Sequence, residues 1–129
     1  MTVQKIEHMG IKVSSLDASI EFYTKVIGLT LLHIIGEPGD QLRLAFLAFQ
    51  GQTSVEVELI ESLWGELPEE GKVSHLAFTV SGIEDEYRRI AELSLDGQTP
   101  IRQLANGSRF FFFNGLDGER LEFFESTRS

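Results

Sequence analysis

The sequence contains no cysteine. That excludes a disulfide scaffold, a thiolate nucleophile and any thiolate-held metal. Positive charge is scarce: 11 Lys and Arg stand against 20 Asp and Glu, a net charge of −9 at pH 7. The balance argues against nucleic acid or an anionic membrane as a partner and reads chiefly as a solubilising surface. No apolar run approaches the ~18 residues a membrane helix needs. Met1 to Gly10 has no positive-then-apolar leader, so a cytoplasmic protein is expected. The 129 residues are expected to form one domain over 1–129. A chain of this length buries roughly two-thirds of its unfolded surface without disulfides or a structural metal.

What is present is an internal repeat. His8-Met9-Gly10-Ile11-Lys12-Val13-Ser14-Ser15-Leu16-Asp17 aligns with His75-Leu76-Ala77-Phe78-Thr79-Val80-Ser81-Gly82-Ile83-Glu84. Val57-Glu58-Leu59-Ile60-Glu61-Ser62 answers Leu121-Glu122-Phe123-Phe124-Glu125-Ser126. The repeat spans 4–62 and 72–126. Each half opens with a strand, at 5–13 and 73–80. The start signals Ser14-x-x-Asp17 and Ser81-x-x-Glu84 then open helices over about 17–26 and 83–93. Gly28 is the expected stop of the first helix. Three strands follow in each half: 29–35, 42–49 and 54–61, then 99–104, 108–114 and 120–125. The segment from Ser62 to Lys72 reads as the linker. The expected class is α+β: two tandem βαβββ modules forming a curved mixed sheet, a half-barrel around a metal site.

Residues two apart on a strand share a face, and that sorts the polar side chains. Met9, Ile11 and Val13 form a greasy face, with His8 opposite; Leu76, Phe78 and Val80 do the same, with His75 opposite. Glu58 and Glu122 also fall on the faces away from the helices. Two imidazoles and two carboxylates suit a divalent ion such as Ni, Co, Zn, Mn or Fe. Four ligands leave two octahedral positions for a small molecule with vicinal oxygens, whose enolate the metal would stabilise. Glu56 shares the face of Glu58, but the repeat puts Arg120 in its place. Glu61 and Glu125 repeat with apolar parity, as solvent or cap residues. His33 has no counterpart and reads as a surface strand residue.

The chain resembles the vicinal oxygen chelate superfamily, which includes glyoxalase I, methylmalonyl-CoA epimerase, extradiol dioxygenases and the fosfomycin and bleomycin resistance proteins. The resemblance rests on His8-x-Gly10-Ile11-x-Val13, on Ser19 to Leu29, on Ser74 to Val80 and on Asp117-Gly118-x-x-Leu121-Glu122. Within it, the His/Glu/His/Glu set is similar to that of glyoxalase I. The resemblance then implies His8, Glu58, His75 and Glu122 as metal ligands. It implies Glu58 and Glu122 as proton carriers, with Glu122 the favoured base. The implied reaction is that of a lyase of the lactoylglutathione type. A methylglyoxal–thiol hemithioacetal becomes a thioester through a metal-bound enediolate. The family's first-strand arginine appears as Lys12, and its glycine-rich stretch shortens to Leu104–Arg109, leaving Lys12 and Arg109 as substrate-binding candidates. A homodimer is implied as well. Two alternatives stand beside this reading. One is an epimerase-like isomerase, whose second ligand is typically glutamine rather than Glu58. The other is a metal-free drug- or metabolite-binding protein of the bleomycin-resistance type, which lacks the ligand set.

Overall fold

Two-residue alternation of apolar and polar side chains builds both sheets of the computed structural model, which describes residues 4, 6–63, 67 and 73–127. The first set of elements is β1 (His8–Val13), α1 (Leu16–Phe22), β2 (Thr30–Ile35), β3 (Leu42–Phe49) and β4 (Gln52–Ser62). The second is β5 (Leu76–Thr79), α2 (Ile83–Ala91), β6 (Arg102–Gln103), β7 (Arg109–Asn114) and β8 (Arg120–Glu125). Each set is one four-stranded sheet, ordered β1-β4-β3-β2 and β5-β8-β7-β6. In both, the opening strand runs parallel to the closing strand and the remaining neighbours are antiparallel. The βαβββ pattern therefore occurs twice, in the α+β class expected. By internal contacts the chain forms two compact units, Met1–Leu67 and Pro68–Ser129. No helix among the described residues is long and apolar enough to cross a membrane.

One face of each sheet is covered by its helix. In the first unit Val13, Ala45, Leu47, Val57 and Leu59 are buried on this side together with Leu16 and Phe22 of α1. In the second, Phe111, Phe113, Leu121 and Phe123 are buried with Ile83 and Ile90 of α2. The run of four phenylalanines thus divides by parity: Phe111 and Phe113 enter the core, and Phe110 and Phe112 lie on the opposite face.

The helices begin differently from the sequence expectation. Ser15, not Ser14, caps α1, its side chain accepting from the Ala18 N–H at 3.2 Å. Gly82, in the left-handed region at φ 66°, precedes α2 and contributes no side-chain cap. The strands supply the missing acceptors. Glu61 Oε2 accepts the Leu16 N–H at 2.7 Å, and Glu125 Oε2 accepts the Ile83 N–H at 3.2 Å. A carboxylate at a helix N-terminus meets both the free donors and the positive end of the dipole. Each of these glutamates also faces an arginine directly across the sheet, Arg43 at 3.9 Å and Arg109 at 2.6 Å. The same arginines reach the first turn of the helix, at Asp17 (3.6 Å) and Glu84 (2.5 Å).

Three other boundaries depart from expectation. The first helix, expected over about 17–26, is α-helical only over Leu16–Phe22 and widens into a π-helical turn over Tyr23–Ile27. The N–H groups of Gly28 and Leu29 both donate to Tyr23 O, and Gly28 closes the turn at φ 98°. The second strand of the second unit, expected over 99–104, contracts to Arg102–Gln103, because Pro100 has no N–H for the ladder. Its flanks keep isolated bonds, from the Thr99 N–H to Phe112 O and from the Leu104 N–H to Ser108 O. The strand expected over 73–80 runs only over Leu76–Thr79. Most of the expected linker lies outside the described residues.

Candidate metal and substrate site

Each unit presents an imidazole–carboxylate pair on the sheet face away from its helix. In the first, β1 and β4 run side by side with Gly10 level with Glu58, so His8, Gly10, Lys12 and Glu58 share that face. His8 Nε2 lies 3.7 Å from Glu58 Oε1. In the second, Ala77 is level with Glu122, and His75 Nε2 lies 3.3 Å from Glu122 Oε1. Gly10, level with Glu58, is small for a steric reason. A Cβ on Gly10 would stand 3.4 Å from Glu58 Oε1 and 3.1 Å from the Ile60 side chain.

The other nitrogen of each imidazole is held by the residue before it. His8 Nδ1 meets Glu7 Oε1 at 3.1 Å, and His75 Nδ1 meets Ser74 Oγ at 2.6 Å. A partner at Nδ1 orients the ring and directs Nε2 towards the carboxylate. An aromatic edge packs on each ring as well. Phe46 lies 6.3 Å from His8 at 87°, and Phe112 lies 5.2 Å from His75 at 87°. Phe46 and Phe112 are themselves level with Glu58 and Glu122 across the sheet. Sequence reasoning missed these two phenylalanines and the Nδ1 partners, although all four occupy matching places in the repeat.

The two pairs differ in depth. The Glu122 side chain is 10% exposed and that of Glu58 is 15%, whereas both histidines are 38% exposed. Burial pushes the Glu122 carboxyl above the ordinary range, and the charge of His75 opposes that shift only in part. Beside Glu122 opens a cavity of about 310 Å³ lined by Ala77, Phe78, Thr79, Glu122 and Phe124.

The spacing of each pair fits a shared ion. Donors about 2.1 Å from one ion stand about 3.0 Å apart at a right angle and about 3.4 Å apart at the tetrahedral angle. The observed 3.7 and 3.3 Å lie close to those edges. Among the described residues no three His, Asp or Glu side chains cluster as a metal site, so the donors of each unit come as a pair.

The remaining candidates are placed as follows. Lys12 is exposed on the His8 face. Arg109 is not on the His75 face: level with Glu125, it points to the helix side and is engaged by Glu84 and Glu125. The expectation of a substrate contact there gives way to the helix-anchoring role, because strand parity turns residue 109 the other way. Glu56 lies level with His8, yet the carboxylate facing His8 Nε2 is that of Glu58. His33 is more than a plain surface residue; it stacks on Phe46 at 4.7 Å and 23°, level with it in the sheet.

Comparison with known proteins places the chain in a family. The chain is 39% identical over 125 residues to protein YwbC of Bacillus subtilis, covering 95% of this chain and 98% of the other. It is 33% identical over 134 residues to the lactoylglutathione lyase of Haemophilus influenzae, covering 97% and 96%. A glyoxalase family protein from Enterococcus faecalis superposes with a TM-score of 0.76 at 26% identity, covering 97% of this chain and all of the other. Residues 5–123 match the family described as the Glyoxalase/Bleomycin resistance protein/Dioxygenase superfamily, and the chain belongs to that superfamily.

Proposed function

We propose that the protein is a metal-dependent lyase of the glyoxalase I type, acting as a homodimer on a small molecule with two neighbouring oxygens. His8, Glu58, His75 and Glu122 are the proposed ligands of one divalent ion: Ni, Zn, Co, Mn or Fe. The observation that carries the reading is the recurrence, once per unit, of a histidine Nε2 and a glutamate oxygen at 3.7 and 3.3 Å. The similarity to the Haemophilus influenzae lactoylglutathione lyase supports the choice of reaction.

When bound, the ion supplies Lewis acidity that polarises both substrate oxygens. The chain's own residues do the rest. Glu122 takes the proton from the hydroxyl-bearing carbon of a hemithioacetal and delivers it to the neighbouring carbonyl carbon. The proton lost from one carbon is regained at the next and the hydroxyl proton passes to the former carbonyl oxygen, so hemithioacetal becomes thioester without an external oxidant or reductant. His75, held at Nδ1 by Ser74, keeps its place beside the Glu122 carboxylate. Lys12 is proposed to meet the anionic end of the thiol.

The test is the metal content of purified wild type and His75→Ala, followed by reconstitution and an ultraviolet assay with methylglyoxal and glutathione. Near-stoichiometric metal that is lost in His75→Ala, together with thioester formation, is the expected result. Metal without thioester would discard the substrate and keep the site. No metal after reconstitution would discard the site.

A further inference from the structure

The two sheet faces match at the histidine, the glutamate and the phenylalanine beside them, but not around these. Where the first unit has Leu44 and Ile60, the second has Phe110 and Phe124, level with each other in the sheet. Resting on the lyase reading above, we infer that the group carried next to the two substrate oxygens is an aryl ring, seated against Phe124.

The aromatic side chains here have separate tasks. Phe112 is already engaged, with its edge geometry to His75 and the Arg120 guanidinium 4.9 Å from its ring centre. Arg120 is fixed in turn by bonds to Gly97 O at 2.7 Å and Asn114 Oδ1 at 2.8 Å. Phe110 stands edge-on to Phe112 at 5.8 Å and stacks behind Phe124 at 6.2 Å and 16°. Phe124 is the ring that reaches the cavity, which it shares with Glu122. Its plane is set from behind before any ligand arrives.

Size and charge select the occupant. An apolar cavity of about 150 Å³ holds a benzene molecule. The roughly 310 Å³ beside Glu122 therefore takes a ring with about as much again for the oxygen-bearing carbons. A methyl group leaves most of that space wet. Of the five residues lining the cavity only Glu122 carries charge and it is assigned to the ion, so no cationic side chain is there to hold an anionic group. A ring meets Phe124 in the offset or edge-on geometry that aromatic pairs prefer.

The test has a binding arm and a kinetic arm, both on the full-length protein as purified. Benzyl alcohol and ethanol are titrated while the backbone amides of Ala77, Thr79 and Phe124 are followed by NMR. Saturable shifts with benzyl alcohol alone, weakened at least tenfold in Phe124→Ala and less in Phe124→Leu, are expected. In the kinetic arm, kcat/KM for the phenylglyoxal hemithioacetal is expected to exceed that for methylglyoxal at least tenfold. Saturable shifts that persist without turnover of either substrate would remove the lyase reading and keep the aryl seat. Absent shifts, shifts indifferent to Phe124→Ala, or turnover favouring methylglyoxal would overturn the aryl seat, whatever becomes of the lyase reading.

Discussion

Removing the carboxylate that joins the first sheet to its helix separates two energies. Glu61 accepts the Leu16 N–H at 2.7 Å and faces Arg43 at 3.9 Å. Arg43 is 8% exposed, and its buried Nε has no hydrogen-bond partner. Its other anion, Asp17, is 77% exposed and so weakly felt. Glu61→Gln keeps an acceptor for Leu16 but loses the charge, and hydrogen bonds to charged groups exceed neutral ones by about 1 kcal/mol. A cost of about 1–2 kcal/mol is expected. Glu61→Ala loses the cap too, worth about 1 kcal/mol, and strands a buried cation, so about 2–4 kcal/mol is expected. Arg43→Met removes the cation with its unpartnered Nε and should lie within about 1 kcal/mol of wild type, since apolar replacement of a buried charge is often neutral. Urea unfolding midpoints at constant m-value report these differences. If Arg43→Met proved the most damaging of the three and Glu61→Ala nearly silent, the arginine rather than the carboxylate would anchor the helix, and the reasoning would fail.

Other substitutions probe the remaining parts. Glu122→Gln should keep metal and fold while turnover drops by about 10²–10⁴, the usual weight of a general base; unchanged turnover would take Glu122 out of the reaction. The Arg109 hydrogen bonds, then the bond from the Ile83 N–H, hold the Glu125 carboxyl below its ordinary range. Its contribution to stability is therefore complete above the unfolded value of about 4.3 and is lost as pH falls through the lowered folded value. Acid unfolding of Glu125→Gln, followed by circular dichroism, should accordingly lose part of its slope in that window; an identical acid limb would contradict the assignment. Gly36 sits at φ 99°, and a Cβ there would stand 2.7 Å from Leu42 O. Gly36→Ala should destabilise by about 1–3 kcal/mol in thermal melts, and a neutral result would mean that the β2–β3 connection is looser than drawn.

Much of this was legible because the repeat supplied a second reading of every motif. A lone strand histidine says little, but His8 and His75 recur with Glu58 and Glu122 at matching parity, and the structure pairs them within their units. In the structure the same parity divides Phe111 and Phe113 from Phe110 and Phe112. What escaped was decided across the sheet. Arg109 shares the parity of Phe111 and Phe113, but its engagement by Glu125 shows only once β7 and β8 are laid in register. Ser14 and Ser81 looked like caps because their spacing to an acid was right; Ser15 caps α1 instead, and the Leu16 and Ile83 N–H groups find acceptors on strands 45 and 42 residues away. The π-helical turn depends on two N–H groups sharing Tyr23 O, which residue type alone does not encode.

Because alternate residues of β3, β4, β7 and β8 face opposite ways, stability and chemistry occupy different letters of the same words. The charged bridges and the rings buried under the helices belong to one parity, and the groups around the histidines, with their own phenylalanines, to the other. Substitutions at Leu44, Ile60, Phe110 and Phe124 can therefore accumulate without loosening either helix. A library confined to those four positions should stay largely folded while its ligand preferences spread, giving a lineage room to change substrates by small steps. The same library drawn at Arg43, Leu59, Phe111 and Phe123 should mostly fail to fold.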